Sequence, residues 1–151
     1  LCAESSQYGV EKALFFHPIN EGMIRVEGRS AHLDTTGEVM VLFQAHRGAR
    51  RVACTVEGDK PLSVACSRTS EGWYITVVNK DFHASQELCL SGEALWKDAV
   101  KAEGVVLEPE KVSFDCNEIR KQAVSLPVEN GSLKLRLSPA AVAGIAIKPA
   151  M

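Results

Sequence analysis

The sequence predicts a mostly β fold, an antiparallel β-sandwich preceded by a segment of different texture. Two observations carry this. After Gly48, short alternating apolar runs recur, with turn signals about every 8–12 residues, the spacing of sandwich strands. Alternation within each run asks for one buried and one wet face per sheet, which two packed sheets provide. Before that point, Leu33 to Gly48 reads as one capped helix. The change of texture divides the chain into residues 1–48 and residues 49–151, beginning inside one domain and ending in another.

The elements follow in order. Ala13-Leu14-Phe15-Phe16 is a short continuous apolar run ending at His17-Pro18, the pattern of a strand buried on both faces. Met23-Ile24-Arg25-Val26 is a second extended piece, Glu27-Gly28-Arg29-Ser30 a turn, and Ala31-His32-Leu33 the lead into the helix. Thr35 is placed to cap the helix with Glu38 as its reciprocal partner. Val39, Leu42, Phe43 and His46 fall at i, i+3, i+4 and i+7 and share one face. Gly48 supplies the left-handed stop.

Beyond Gly48, Val52, Cys54 and Val56 alternate, then Leu62, Val64 and Cys66, separated by the turn Glu57-Gly58-Asp59-Lys60-Pro61. Trp73-Tyr74-Ile75-Thr76-Val77-Val78 is the strongest strand in the chain, and Gln86 to Leu90 is another, with Leu88 and Leu90 on one face. Residues 92–104 suit a short helix or a loop over the sandwich edge equally. Val124, Leu126 and Val128 alternate, Asn130-Gly131 is a hairpin turn pair, and Leu133, Leu135 and Leu137 follow. Ile145 and Ile147 close the chain.

Of 151 residues, 46% are hydrophobic and 24% charged, as in a soluble globular protein. The formal net charge of −2, with scattered Lys and Arg, offers no basic stripe for nucleic acid. No apolar run approaches the ~18 residues of a membrane span. The chain starts at Leu1 rather than Met, without the pattern of a signal peptide, so a missing N-terminus is expected. Five cysteines (Cys2, Cys54, Cys66, Cys89 and Cys116) form no C-x-x-C pair and no zinc-ligand spacing. Cys54, Cys66 and Cys89 lie in strand-like runs, where free thiols act as small buried hydrophobes. This favours a reducing, cytoplasmic compartment over a periplasmic or secreted one.

Four segments carry a family resemblance. Met23-Ile24-Arg25-Val26-Glu27-Gly28 looks like the stretch before the last barrel helix of the family-51 glycoside hydrolases, the α-L-arabinofuranosidases. Leu33 to Gly48, ending in His46-Arg47-Gly48, resembles that helix, although Asp34-Thr35-Thr36-Gly37 stands where the family has Thr-Pro-Thr-Tyr. Trp73 to Asp81 is similar to a sandwich strand ending in an Asn-x-Asp turn, and Leu137-Ser138-Pro139 to Ile147 to the closing strand. The resemblance implies that residues 1–48 are the last strand and helix of a (β/α)8 barrel and residues 49–151 a C-terminal accessory sandwich. The parent would be a retaining glycosidase acting on arabinofuranosyl-containing polysaccharide. This chain would be catalytically silent, its partner the missing barrel of the same protein. No cofactor is implied, and a homo-oligomer is compatible with it.

Retaining glycosidases use two carboxylates about 5 Å apart. Glu21, in Pro18-Ile19-Asn20-Glu21-Gly22, is the catalytic candidate, since Asn-Glu carries the acid/base in many such barrels. Its place shortly before the last helix argues instead that Asn20 and Glu21 line the final barrel loop and bind structure or substrate hydroxyls. His17, His32 and His46 read as hydrogen-bonded structural groups. Glu57, Asp59 and Asp81 lie in turns, and no metal site is expected. Trp73, Tyr74, Phe82 and Trp96 raise a rival function, a carbohydrate-binding or adhesion module with an exposed aromatic row. A third is a fragment of another sugar hydrolase, xylosidase-like or agarase-like.

Overall fold

The computed structural model describes residues 16–92, 96, 98, 99, 101–113 and 118–149. Strands β1 (Ile24–Glu27) and β2 (Ser30–Leu33) form a hairpin, followed by helix α1 (Thr35–Phe43) and a 3-10 turn, Gln44–His46. Then come β3 (Arg50–Val52), β4 (Leu62–Arg68), β5 (Trp73–Asn79), β6 (Gln86–Ser91), β7 (Lys101–Pro109), β8 (Ile119–Pro127), β9 (Ser132–Leu137) and β10 (Val142–Ile147). Six strands form one sheet in the order β3-β4-β5-β10-β7-β8, and β6 pairs with β9 in a second sheet. All these ladders are antiparallel, as expected. Among the described residues no helix is long and apolar enough to cross a membrane.

The core lies between the two sheets. Strand β5 shows why: Trp73, Ile75 and Val77 face inward, while Tyr74, Thr76 and Val78 face out. Ile145 and Ile147 of β10 stand beside them, and Leu133, Leu135 and Leu137 of β9 close the core from the other sheet. Each such side chain contributes about 1.5–3 kcal/mol through burial. Buried Asn79 is the polar exception at the end of β5.

Helix α1 covers the opposite face of the six-stranded sheet. Leu42 packs with Leu107 and Val142, flanked by Val39, Phe43, Val78 and Val105, so the helix face read from spacing is the face that packs. Gly48 takes the left-handed conformation that ends the segment (φ +71°). The cap differs from expectation. Asp34, not Thr35, is the N-cap, its Oδ1 accepting the Thr35 N–H at 2.9 Å. Arg25 of the hairpin holds its other oxygen at 3.2 Å. Glu38 turns away from the cap to pair with Lys121 of β8 at 2.8 Å. With Asp34 as N-cap the third helical position is Gly37, so Glu38 is out of register for a capping box.

Other expectations are corrected. Ala31-His32-Leu33 is not a lead-in but β2, paired with β1. Residues 13–15 lie outside the described part, and Phe16, expected buried, is 80% exposed. The run through Val56 stops at Val52, because β3 pairs with β4 only as far as Cys66. Cys54 and Cys89 are exposed, and only Cys66 of the three is buried. Within residues 92–104, β7 begins at Lys101, and buried Trp96 and Ala99 belong to the core.

Asn130 and Gly131 do form the tight turn, both with positive φ (51° and 70°), closed by the Glu129–Ser132 backbone pair. Yet β8 and β9 do not stay together as a hairpin. The chain crosses from the large sheet to the small one, where β9 pairs with β6. Burial is the reason: on β9 the three leucines reach 2%, 5% and 0% exposure, which a place at the edge beyond β8 would not give them.

Candidate functional site

Three places on the chain gather candidate functional side chains. The first is the loop before β1. Asn20 adopts φ +59°, its N–H donates to Ile24 O at 2.7 Å, and its Oδ1 accepts the Val26 N–H at 2.7 Å. Its side chain thus shapes the loop. Glu21 is exposed and pairs with His17, Oε2 to Nδ1 at 2.9 Å. Neither His32 nor His46 comes to this pair among the hydrogen bonds of the described residues.

The second is the seam between α1 and the large sheet. His46 Nδ1 lies 2.8 Å from Ser67 Oγ, and its Nε2 lies 3.0 Å from Thr76 Oγ1. Tyr74 meets the imidazole edge-on, ring centroids 5.2 Å apart. Burial holds this imidazole below its usual pKa of 6.5. The folded state therefore keeps His46 neutral while the unfolded chain takes up a proton near 6.5. The unfolded state binds more protons in that window, so stability is lost as pH falls through 6.5 toward the lowered value. Urea titrations of the chain and of His46→Gln at about pH 8 and about pH 5.5 check this. The variant should lose about 1–2 kcal/mol at the higher pH and show a flatter pH slope. An unchanged slope would remove His46 from the account.

The third is a groove of about 470 Å³ on the inner face, where the two-stranded sheet leaves β3 and β4 partly uncovered. Val52, Cys54 and Cys66 line it from β3, β4 and the segment between them, Leu88 and Leu90 from β6, together with Trp73 and Trp96. Arg68 stacks over Trp73, 4.0 Å from the ring centroid. Trp96 is buried, and its Nε1 finds no acceptor among the described residues. Tyr74 sits on the opposite sheet face and Phe82 in an exposed turn, so these four aromatics make no common row.

Of the turn acids, Asp81 spends its carboxylate on the His83 and Ala84 N–H groups at 2.8 and 3.0 Å, which hold its pKa below the ordinary value. Among the described residues no three His, Cys, Asp or Glu side chains gather as metal ligands. Sequence reasoning placed His46 on its packed face but missed Ser67 and Thr76. The signal was present in alternation, since both fall on the outward face of their strands.

The fold is one found in glycoside hydrolases. Over 86% of this chain it matches the GH51 arabinofuranosidase of Xanthomonas axonopodis pv. citri, with TM-score 0.65 and 16% identity. Over the same share it matches the catalytic domain of GH30 xylanase C from Talaromyces cellulolyticus, with TM-score 0.66 and 16% identity. The GH51 α-L-arabinofuranosidase of Thermotoga petrophila RKU-1 matches over 84%, with TM-score 0.63 and 17% identity. The chain spans only 30%, 28% and 32% of those proteins, respectively. No family model and no curated protein matches the sequence.

Proposed function

We propose that this chain is the non-catalytic C-terminal part of a retaining glycoside hydrolase of the arabinofuranosidase type. Residues 49–151 are its accessory sandwich, and residues 1–48 the end of its catalytic barrel. The observation that carries this reading is the distribution of exposed apolar side chains. Among the described residues, Phe16, Ile19, Val26, Leu33, Met40 and Val41 lie on the segment before β3 and are at least 40% exposed, whereas on the sandwich the exposed large apolar side chains are Val56, Phe82 and Val112, each in a loop between strands. On α1, Met40 and Val41 fall away from the face that packs on the sheet. A surface of this kind marks an interface, and the barrel of the same protein is its occupant in this reading. The shared fold with GH51 and GH30 enzymes supports it.

In this reading the catalytic carboxylates come from outside residues 1–151. Glu21, with His17, sits at the barrel's last loop and holds structure or substrate hydroxyls, while Asn20 braces the loop. The test is to read the coding frame upstream of Leu1 and express the longer protein. It should release p-nitrophenol from the p-nitrophenyl α-L-arabinofuranoside, whereas residues 1–151 alone should not. In the longer protein Glu21→Gln should lower kcat by less than about tenfold, short of the ~10²–10⁴ expected for a general acid. Activity on xylan alone would move the parent to a xylanase. Sugar binding by residues 1–151 without any upstream barrel would favour the binding-module alternative, which the scattered aromatics disfavour.

A further inference from the structure

The inner-face groove brings two thiols together, and nothing in the proposed function uses them. Register places Val52 of β3 opposite Cys66 of β4, both on the inner face. Two residues further on, Cys54 returns to that face, past the end of the β3–β4 pairing. Its thiol lines the same groove as the Cys66 thiol and donates to Val52 O at 3.5 Å. Cys54 is exposed at the groove and Cys66 is buried behind it.

We propose that Cys54 and Cys66 are a dithiol modification site, closed to an intrachain disulfide by a small organic disulfide entering the groove. The order of steps follows from access. The Cys54 thiolate attacks one sulfur of the oxidant, forming a mixed disulfide as the oxidant's S–S bond breaks and one thiolate leaves. The Cys66 thiol then gives its proton to solvent and attacks Cys54 Sγ. The Cys54–Cys66 bond forms, and the second thiolate leaves. Two protein thiols are oxidised, and one organic disulfide is reduced to two thiols.

The electrostatics agree with these roles. The bond donated by Cys66 lowers the Cys54 thiol to about 7 against opposing burial, with the Arg51 charge adding to it. Donation to Cys54 and burial push Cys66 up, so Cys54 is the thiol that ionises first and meets the oxidant. A thiol with pKa near 7 is more ionised at neutral pH but intrinsically less nucleophilic. Because the named pairing ends at Val52, the segment carrying Cys54 closes onto β4 without giving up a strand partner.

The test uses the whole reduced chain and glutathione disulfide at neutral pH, with remaining thiols alkylated before peptide mapping by mass spectrometry. Expected is a cross-linked peptide pair joining Cys54 to Cys66, with Cys89 still reduced and two thiols lost from the total. Cys66→Ala, or Cys66→Ser if the alanine variant fails to fold, should stall with glutathione retained on Cys54. Cys54→Ser should leave Cys66 unmodified over the same time. Glutathione retained on Cys54 in the unsubstituted chain would overturn the proposal. So would a Cys54–Cys89 link, or Cys66 reacting as fast without Cys54. The unsubstituted chain decides the matter even if every variant misfolds.

Discussion

Replacing Asn79 with alanine is expected to cost about 3–4 kcal/mol, a large share of the stability of a domain this size. Asn79 is 1% exposed at the end of β5. Its Nδ2 donates to Ala84 O and Ser138 O, both at 2.9 Å, with Leu137 O at 3.4 Å. Its Oδ1 accepts the Asp81 N–H at 3.0 Å. One amide therefore ties the turn after β5 to the end of β9. Removing it takes the partner from one buried and three part-buried main-chain groups and leaves a cavity, and those terms add. Asn79→Asp should be worse near neutrality, because a buried carboxylate would face carbonyl oxygens, and should recover partly in acid as it gains a proton. Urea midpoints and slopes measure both. A loss below about 1 kcal/mol for the alanine variant would show that water replaces the side chain.

The second large effect is expected at the centre of the six-stranded sheet. A Cβ built on Gly104 of β7 would lie 2.2 Å from Gly144 O and 3.0 Å from Ile145 Cα on β10. Both are main-chain atoms in the best-buried ladder, so Gly104→Ala must move a strand. We expect a loss of about 3 kcal/mol or more, with reduced cooperativity of unfolding. Gly144→Ala is the instructive comparison. Its Cβ would meet Tyr74 Oη at 2.2 Å and Leu42 Cδ2 at 3.1 Å. These are side-chain ends that can turn aside, so the cost should be smaller, about 1–2 kcal/mol, and felt at the α1 seam. Equal losses at the two glycines would mean that strand backbone is as yielding as side chains here.

Both effects bear on the proposed function through geometry. The α1 seam, with Leu42, His46 and Tyr74, joins the segment assigned to the barrel to the sheet behind it. A variant that loosens the seam tests whether the sandwich steadies its neighbour, through the thermal inactivation of the longer protein rather than its turnover.

Much of the fold was legible locally. The faces of β4, β5, β6, β9 and β10 follow from alternation, and the Asn130-Gly131 turn from the dihedrals those residues tolerate. The helix face followed from a spacing of 3.6 residues per turn. Strand β7 was missed, because Gly104 interrupts its apolar pattern and the small alanines before it read as helical. The candidate site was legible only as residue types. That Asn20 turns its side chain onto the Val26 N–H, and that Glu21 meets His17, depended on a loop of left-handed residues with no periodic signature.

By itself, then, the sequence determined a β-rich chain, the inward and outward side of its main strands, and the turns and helix face. Tertiary structure alone decided that β9 leaves β8 for β6, that Glu38 pairs with Lys121, and that Cys54 and Cys66 line one groove. The division has a physical cause. Periodicity and turn dihedrals are set by neighbours along the chain. Strand partners are set by where the most apolar surface leaves water, a sum over residues far apart in sequence.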